Sequence, residues 1–109
     1  MAKQLNFSYE GRDYTLEFTR RTVEAMERKG FVASELTVKP VSRLPELFAG
    51  AFLANHPSEK REVVDAIYGR MGNKSALVSK LAEMYNEPVE ALFAEPGENE
   101  GNVDWTASF

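Results

Sequence analysis

The sequence predicts an α+β fold, in which an N-terminal two-stranded antiparallel β-hairpin at about residues 4–10 and 13–18 packs on a bundle of four to five α-helices. Two patterns predict it: apolar residues alternate with polar ones before residue 19, and recur at helical spacing after it. A chain of 109 residues has room for one modest hydrophobic core. We expect a single domain over residues 1–94, and a flexible acidic linker with a C-terminal segment over residues 95–109.

The hairpin is predicted from apolar side chains at every second position of two short runs, which are Leu5, Phe7 and Tyr9 and then Tyr14, Leu16 and Phe18. A two-residue loop of Gly11 and Arg12, with Gly in the first position of a type II′ turn, would join them. The predicted cross-strand pairs are Tyr9/Tyr14, Phe7/Leu16 and Leu5/Phe18, and all three share one face. Because an isolated hairpin is marginally stable in water, this face is expected to cover helices.

The first helix is expected to begin after Thr19, because threonine is a good N-cap residue, and to end near Lys29. Gly30 can supply the left-handed residue that stops it. Val23 and Met26 form its apolar stripe, so this face should turn towards the core.

Little regular structure is expected between the first helix and the next one. Phe31 and Val32 should fold back onto the core, and residues 33–41 should form a loop or irregular connector. Ser42 can cap the following helix, but Pro45 disfavours helical geometry in the residue before it. Regular structure is therefore expected to begin near Pro45.

The most apolar stretch of the chain is Leu44–Asn55, whose only charged residue is Glu46. A helix that is apolar nearly all round is normally a central core element. Its surplus apolar area makes Phe48 and Phe52 candidates for contact with a partner or with copies of the same chain. If neighbouring elements bury this helix completely, a partner must be met elsewhere.

Two or three more helices are predicted after this stretch. One should run from Ser58, as its cap, to about Gly72, and the next should open at Asn73 or Ser75. Pro88 is expected to break or kink that helix, because proline lacks a backbone donor and constrains the residue before it. A short final helix should follow, with apolar residues at Val89, Leu92 and Phe93.

The charges divide the chain into two parts. All 13 Lys and Arg residues lie at or before Lys80, so residues 1–80 carry a net charge of +3, whereas residues 81–109 hold seven acids, no base and a net charge of −7. An acidic end is typical of a solvated or partner-binding terminus. It argues against non-specific nucleic-acid binding, which needs a basic surface.

The composition also limits the chemistry. The absence of cysteine excludes disulfides, thiolate metal sites and thiol nucleophiles. The N-terminal residues do not form the apolar core of a signal peptide, and the longest apolar run is too short to span a bilayer. We expect a soluble cytoplasmic protein without membrane contact.

No arrangement of residues predicts catalysis. His56 is the only histidine, so it is expected to cap a helix or lie on the surface. Glu62 and Asp65 share a helix face, but basic residues surround them and a solvated face is the favoured interpretation. No phosphate-binding or nucleophile motif is present. We therefore expect no enzymatic activity, no cofactor and no metal.

DNA binding is the sharpest alternative. Residues 58–86 are predicted to form a helix, a turn with glycine and a second helix, as in helix-turn-helix proteins. The second helix would offer Lys74 and Lys80 to a groove, but it also carries Glu83 and Glu87. An ordinary helical hairpin is the favoured interpretation.

The C-terminal segment, Val103–Phe109, alternates again, with Val103, Trp105, Ala107 and Phe109 on one side. Two interpretations remain open. The segment can pair with the edge of the hairpin in the same molecule and complete a small sheet. Alternatively, it can add a strand or apolar anchors to another protein.

The order of elements is similar to that of a known family. A hairpin over Leu5–Phe18 runs straight into a helix that ends with Val23–Gly30, and a helical body and an acidic end follow. This resembles the small tail assembly chaperones of long-tailed bacteriophages and prophages, especially a family from prophages of Gram-positive bacteria. The likeness extends over nearly the whole chain, including Leu44–Leu53 and Leu81–Phe93.

The resemblance implies a chaperone that binds the apolar tape measure protein, keeps it soluble and helps the tail tube to polymerise round it. The tail tube protein is then a second partner, self-association is expected, and the protein is not expected in the mature virion. A head-tail connector or minor virion structural protein is an alternative, distinguished by its presence in purified particles. The candidate partner-binding residues are Phe48, Phe52, Val103, Trp105 and Phe109.

Overall fold

A computed structural model of the protein describes residues 3–93 and 106–109. Its elements, in chain order, are β1 (Leu5–Tyr9), β2 (Arg12–Leu16), α1 (Arg20–Arg28), a 3-10 helix (Ala33–Leu36), α2 (Pro40–Gly50), α3 (Arg61–Arg70) and α4 (Lys74–Ala91). The predicted α+β class is confirmed: an antiparallel two-stranded hairpin precedes four α-helices. The predicted acidic linker lies outside the described residues.

The register of the hairpin differs from the predicted one by two residues. Phe7 lies opposite Tyr14, and Leu5 lies opposite Leu16. The loop consists of Glu10 and Gly11, whose φ angles of 48° and 79° are both positive, as a type I′ turn requires. The predicted type II′ turn at Gly11 and Arg12 is therefore wrong.

A two-residue shift keeps every side chain on its face of the sheet, so the predicted apolar face survives the change of register. The Phe7 and Tyr14 rings are stacked, with their centroids 5.3 Å apart. Phe18 no longer needs a strand partner, because it follows the end of β2. Its ring packs edge-on against Tyr85 of α4, with 5.5 Å between centroids.

Helix α1 confirms the predicted start and stop. The Thr19 hydroxyl accepts a hydrogen bond from the Thr22 amide at 3.1 Å, and the Thr22 hydroxyl accepts one from the Thr19 amide at 2.9 Å. These reciprocal bonds form a capping box. Gly30, with φ of 95°, follows the end of the helix. Phe31 then turns into the core as expected, whereas Val32 remains 45% exposed, contrary to expectation.

Helix α2 begins at Pro40, five residues before the predicted start, within what was expected to be a connector. Proline is well suited to the first helical position, where its missing donor would be unpaired anyway. Pro45 lies inside the helix and removes only one intrahelical donor. Arg43 bonds Glu35 of the 3-10 helix at 2.8 Å and Glu46 at 3.0 Å, which stabilises this early start.

The later boundaries also differ in part from the predictions. Helix α3 begins at Arg61 and not after Ser58, because Glu59 is held by the Tyr14 hydroxyl at 3.1 Å and by Arg12 at 3.4 Å. Helix α4 follows Asn73, as predicted, but continues through Pro88 to Ala91. The predicted break and separate final helix are therefore wrong.

The core lies where α2 meets the hairpin and the other helices. Leu47, Phe48 and Ala51 are completely buried, and Phe52 is 2% exposed. The prediction that this stretch is the centre of the core is confirmed. The other buried apolar residues are Tyr14, Leu16, Phe18, Val23, Met26, Phe31, Val64, Ile67, Leu77, Leu81, Met84 and Tyr85.

Candidate protein-binding surfaces

The two candidate residues on the central stretch lie inside the folded domain. The ring of Phe48 is completely buried and packs edge-on against Phe52, with 5.2 Å between centroids. Phe52 in turn packs against Tyr14 at 5.6 Å. Neither ring can touch a partner unless the core opens. The two rings are thus excluded as surface contacts, whereas Ala49, Leu53 and Ala54 of the same stretch are half-buried.

The other three candidates belong to the C-terminal segment. Val103 and Trp105 lie outside the described residues. Phe109 is described, and its side chain is fully exposed. Residues 106–109 have no regular secondary structure and are exposed throughout. No pairing between the described end of this segment and the hairpin is therefore present.

Large apolar side chains are also exposed at the end of α4. Leu92 is 54% exposed and Phe93 is 83% exposed. The sequence analysis placed both on a short apolar helix and so missed their exposure. The signal that could have revealed it is their position between Glu90 and the acidic residues that follow. A second exposed pair, Val38 and Val41, lies where a connector was expected.

A groove of about 400 Å³ runs beside α2, between the end of α1 and the start of α3. Its wall includes Met26, whose side chain occupies the space above Gly50. The charged residues at its rim include Glu46 and Arg61, which already bond Arg43 and Asp65 at 3.0 Å. The groove thus offers an apolar wall, and Glu46 and Arg61 at its rim are paired within the domain.

The outer edge of β2 is covered by the turn between α2 and α3. The Thr15 amide donates to Nε2 of His56 at 3.1 Å, and Nδ2 of Asn55 donates to the Thr15 carbonyl at 3.1 Å. The Glu17 amide donates to the Ala51 carbonyl, also at 3.1 Å. These bonds satisfy backbone groups that an exposed strand would leave open.

His56 therefore has a structural role that the sequence analysis did not identify. Its ring lies against Tyr14, with 4.9 Å between centroids, and is only partly exposed. Because Nε2 accepts the Thr15 hydrogen bond, that nitrogen is unprotonated and Nδ1 carries the ring proton. The expectation of a capping or surface residue is wrong in this respect: His56 joins the helical body to β2.

The outer edge of β1 has no paired strand among the described residues. In an antiparallel pair, residues whose backbone groups point outward alternate with those that bond the partner strand. Thr15 points outward, so its partner Asn6 does too, and Ser8 follows two residues later. Within the described residues, no backbone hydrogen bond reaches the outward groups of Asn6 and Ser8.

Buried and paired groups shift several pKa values. Burial, and then the hydrogen bond to Glu59, raises the pKa of Tyr14. Burial likewise raises the pKa of Tyr85. The hydrogen bond from Arg43 lowers the pKa of Glu35, and that from Lys3 lowers the pKa of Glu83. Each shift thus follows from burial or from a hydrogen bond made within the domain.

Lys74 and Lys80, on the helix predicted to contact DNA in the alternative function, bond to other groups of the same domain. Nζ of Lys74 donates to the Met71 carbonyl at 2.9 Å and lies over the Tyr68 ring at 5.8 Å. Lys80 forms an ion pair with Glu83 at 3.7 Å. Glu83 therefore offsets the positive charge that Lys80 would present to DNA, whereas Lys74 keeps its charge.

Residues 3–93 and 106–109 show neither a cluster of potential metal ligands nor a helix that could span a membrane. These residues contain no group of three or more His, Asp or Glu side chains placed to hold a metal ion. They also contain no helix with the length and apolar character needed to cross a membrane.

Comparison with known proteins adds one finding. No curated protein matches the chain, and no solved structure matches it. A family model described as "Domain of unknown function (DUF5055)" matches residues 1–109. Because the match extends over the whole sequence, the chain belongs to the DUF5055 family.

Proposed function

We propose that the protein is a tail assembly chaperone of a long-tailed bacteriophage or prophage. It binds the tape measure protein in the host cytoplasm and keeps it soluble while the tail tube polymerises. The supporting observation is that the core is closed, yet Leu92, Phe93 and Phe109 remain exposed. The order of hairpin, first helix and helical body supports the same family by resemblance.

The proposed client contact lies at the end of α4. Leu92 and Phe93 offer apolar area, and Glu87 and Glu90 lie in the same part of the helix. Burying one such phenylalanine is worth about 2–3 kcal/mol before the costs of association. A few exposed rings therefore give reversible binding, which a chaperone that must release its client requires.

The acidic residues near this surface have a complementary role. Residues 81–109 carry seven acids and no base. A complex that covers apolar client segments with this region presents a surface of one charge sign, and like charges keep complexes apart. The same charge would repel nucleic acid, so the proposal includes no DNA or RNA partner.

The test is co-expression with the tape measure protein of the same phage, with the soluble fraction of the client as the measurement. The wild-type chain should keep most of the client soluble. The double variant Leu92→Ser/Phe93→Ser should lose this effect, while circular dichroism and thermal unfolding show an unchanged fold. Val41→Ser is the matched control, because Val41 is an apolar residue that is 89% exposed on a different helix, α2.

Two results would contradict the proposal. A client that stays insoluble with the wild-type chain would remove the chaperone function. A double variant that solubilises the client as well as the wild type would remove the proposed contact surface. Phe52→Asp is unsuitable for this test, because it places a charge in the core and unfolds the domain.

A further inference from the structure

The hairpin has two edges, and the described residues close only the β2 edge. The α2–α3 turn covers the β2 edge through Ala51, Asn55 and His56. At the β1 edge, the outward backbone groups of Asn6 and Ser8 have no hydrogen-bond partner among residues 3–93 and 106–109. An open edge of this kind is a template for an added strand, and two-stranded sheets gain stability from a third.

The side chains of β1 define what such a strand must look like. Leu5, Phe7 and Tyr9 are half-buried on the face that covers the helices. Asn6 and Ser8 are exposed on the opposite face, where they bond Thr15 and Asp13. A matching strand therefore needs apolar residues at alternate positions towards the helices and polar residues between them.

The C-terminal segment has this pattern. Its alternate residues Val103, Trp105, Ala107 and Phe109 are apolar, and the residues between them are Asp104, Thr106 and Ser108. Its seven residues are sufficient to pair with the five residues of β1. In the sheet formed with this added strand, apolar side chains would lie beside apolar ones on one face. Polar side chains would lie beside polar ones on the other face.

We infer that the β1 edge binds the C-terminal segment of a second copy of the chain, so that two copies form a dimer by reciprocal strand addition. A second copy is proposed over the same chain because the described end of the segment, residues 106–109, forms no strand in the single chain and its Phe109 is fully exposed. Reciprocal exchange of one segment satisfies two-fold symmetry, the commonest arrangement of homodimers.

The main-chain bonds of the β1 edge can be removed selectively. Ser8→Pro removes an outward N–H without removing a bond to β2, and proline is tolerated on edge strands for this reason. Asp13→Pro is the matched control, because Asp13 lies opposite Ser8 and its N–H points to the other edge. Both variants lose the same side-chain bond between Ser8 and Asp13.

The experiment measures association of the full chain by analytical ultracentrifugation from micromolar to millimolar concentration. The fluorescence of Trp105, the only tryptophan, reports its burial in the same samples. We expect a concentration-dependent dimer with a matching blue shift of the emission. Ser8→Pro and Trp105→Ser should each weaken dimerisation by about ten-fold or more, and Asp13→Pro by less than about three-fold.

Three outcomes would overturn the inference. The first is a monomer at every concentration with no shift in emission. The second is a shift that does not depend on concentration, which would place the segment on its own hairpin. The third is a dimer that survives both Ser8→Pro and Trp105→Ser, which would place the interface elsewhere. Because no client is present, failure here is distinct from failure of the chaperone proposal.

Discussion

His56 accepts a hydrogen bond from the backbone amide of Thr15 across 41 residues of sequence, with 3.1 Å between Nε2 and the amide nitrogen. The bond joins the turn after α2 to the outer edge of β2. The same ring packs against Tyr14 and Phe52, with centroid distances of 4.9 Å and 6.2 Å. A single side chain therefore connects the sheet edge, the hairpin face and the central helix.

Replacing this residue should cost stability. His56→Ala leaves the Thr15 amide without its acceptor and removes the ring from the Tyr14 face, so we expect a loss of about 2–3 kcal/mol in the free energy of unfolding. Asn55→Ala, which removes an exposed bond to the Thr15 carbonyl, should cost about 1 kcal/mol or less. Urea unfolding measures both. If His56→Ala changed the free energy of unfolding by less than about 0.5 kcal/mol, the bond would make no measurable contribution to stability.

Gly50 and Met26 should show strong coupling. A Cβ on Gly50 would lie 2.5 Å from Cε of Met26, so Gly50→Ala should destabilise the protein by about 1–2 kcal/mol. In a Met26→Ala background the same change should stabilise it by up to about 1 kcal/mol, because alanine is the better helix former. A double-mutant cycle measures the difference.

Gly69 provides the control for this experiment. It lies in α3, and a Cβ there would meet no atom within 4 Å. Gly69→Ala should therefore stabilise the protein by about 0.5–1 kcal/mol in either background. If Gly50→Ala behaved like Gly69→Ala in the wild-type background, close packing of Met26 would not be the reason for glycine at position 50.

The capping box of α1 should be worth about 1 kcal/mol. Thr19→Ala removes the acceptor of the Thr22 amide, and that amide then has no intrahelical partner. Ser79→Ala, at an exposed position of α4, is expected to change the free energy of unfolding by less than about 0.5 kcal/mol. Equal effects of the two substitutions in thermal unfolding would argue against the cap.

The raised pKa values of Tyr14 and Tyr85 predict a loss of stability at alkaline pH. Their pKa values are raised in the folded state from an ordinary value of 10.0, so the folded protein holds these protons more tightly than the unfolded chain. Their contribution is complete below pH 10 and is lost as pH rises through the folded-state pKa values. Tyr14→Phe should lower stability at neutral pH by about 1–2 kcal/mol, through its bond to Glu59, but flatten the alkaline decline.

The contribution of Glu35 to stability depends on pH in the opposite direction. Its pKa is lowered from 4.5 by the Arg43 hydrogen bond, so its contribution is present above that value and is lost as pH falls through the folded-state pKa. Arg43→Ala should therefore make unfolding less dependent on pH in acid. High salt should have a similar but weaker effect, because the group is partly exposed. An unchanged acid profile in Arg43→Ala would exclude this pair as the cause.

Local patterns were sufficient to predict much of the fold. The alternation of apolar and polar residues predicted the two strands and their inner face. The residues from Thr19 to Gly30 predicted α1, and the apolar character of Leu44–Asn55 predicted the centre of the core. Each of these features depends on neighbouring residues: strand period, helix caps and helical stripes. Such signals act between residues that are close in sequence, so the sequence alone is sufficient to identify them.

The tertiary structure decided what local signals leave open. Two hairpin registers place the same side chains on the same face, so sequence periodicity cannot choose between them, whereas the packing of Phe7 on Tyr14 can. The local rule that proline ends helices was outweighed at Pro45 and Pro88, where the rest of the helix remains bonded. The burial of Phe48 and Phe52 likewise depends on elements distant in sequence.

The sequence by itself determined the fold class, the hairpin face and the central helix, because periodicity and caps act within a few residues. Only the tertiary structure showed that the Phe48 and Phe52 rings are buried, that His56 seals one edge of the hairpin, and that no other described residue pairs with the β1 edge. These properties depend on which side chains meet across 40 or so residues of chain, and burial is a property of the whole packed domain.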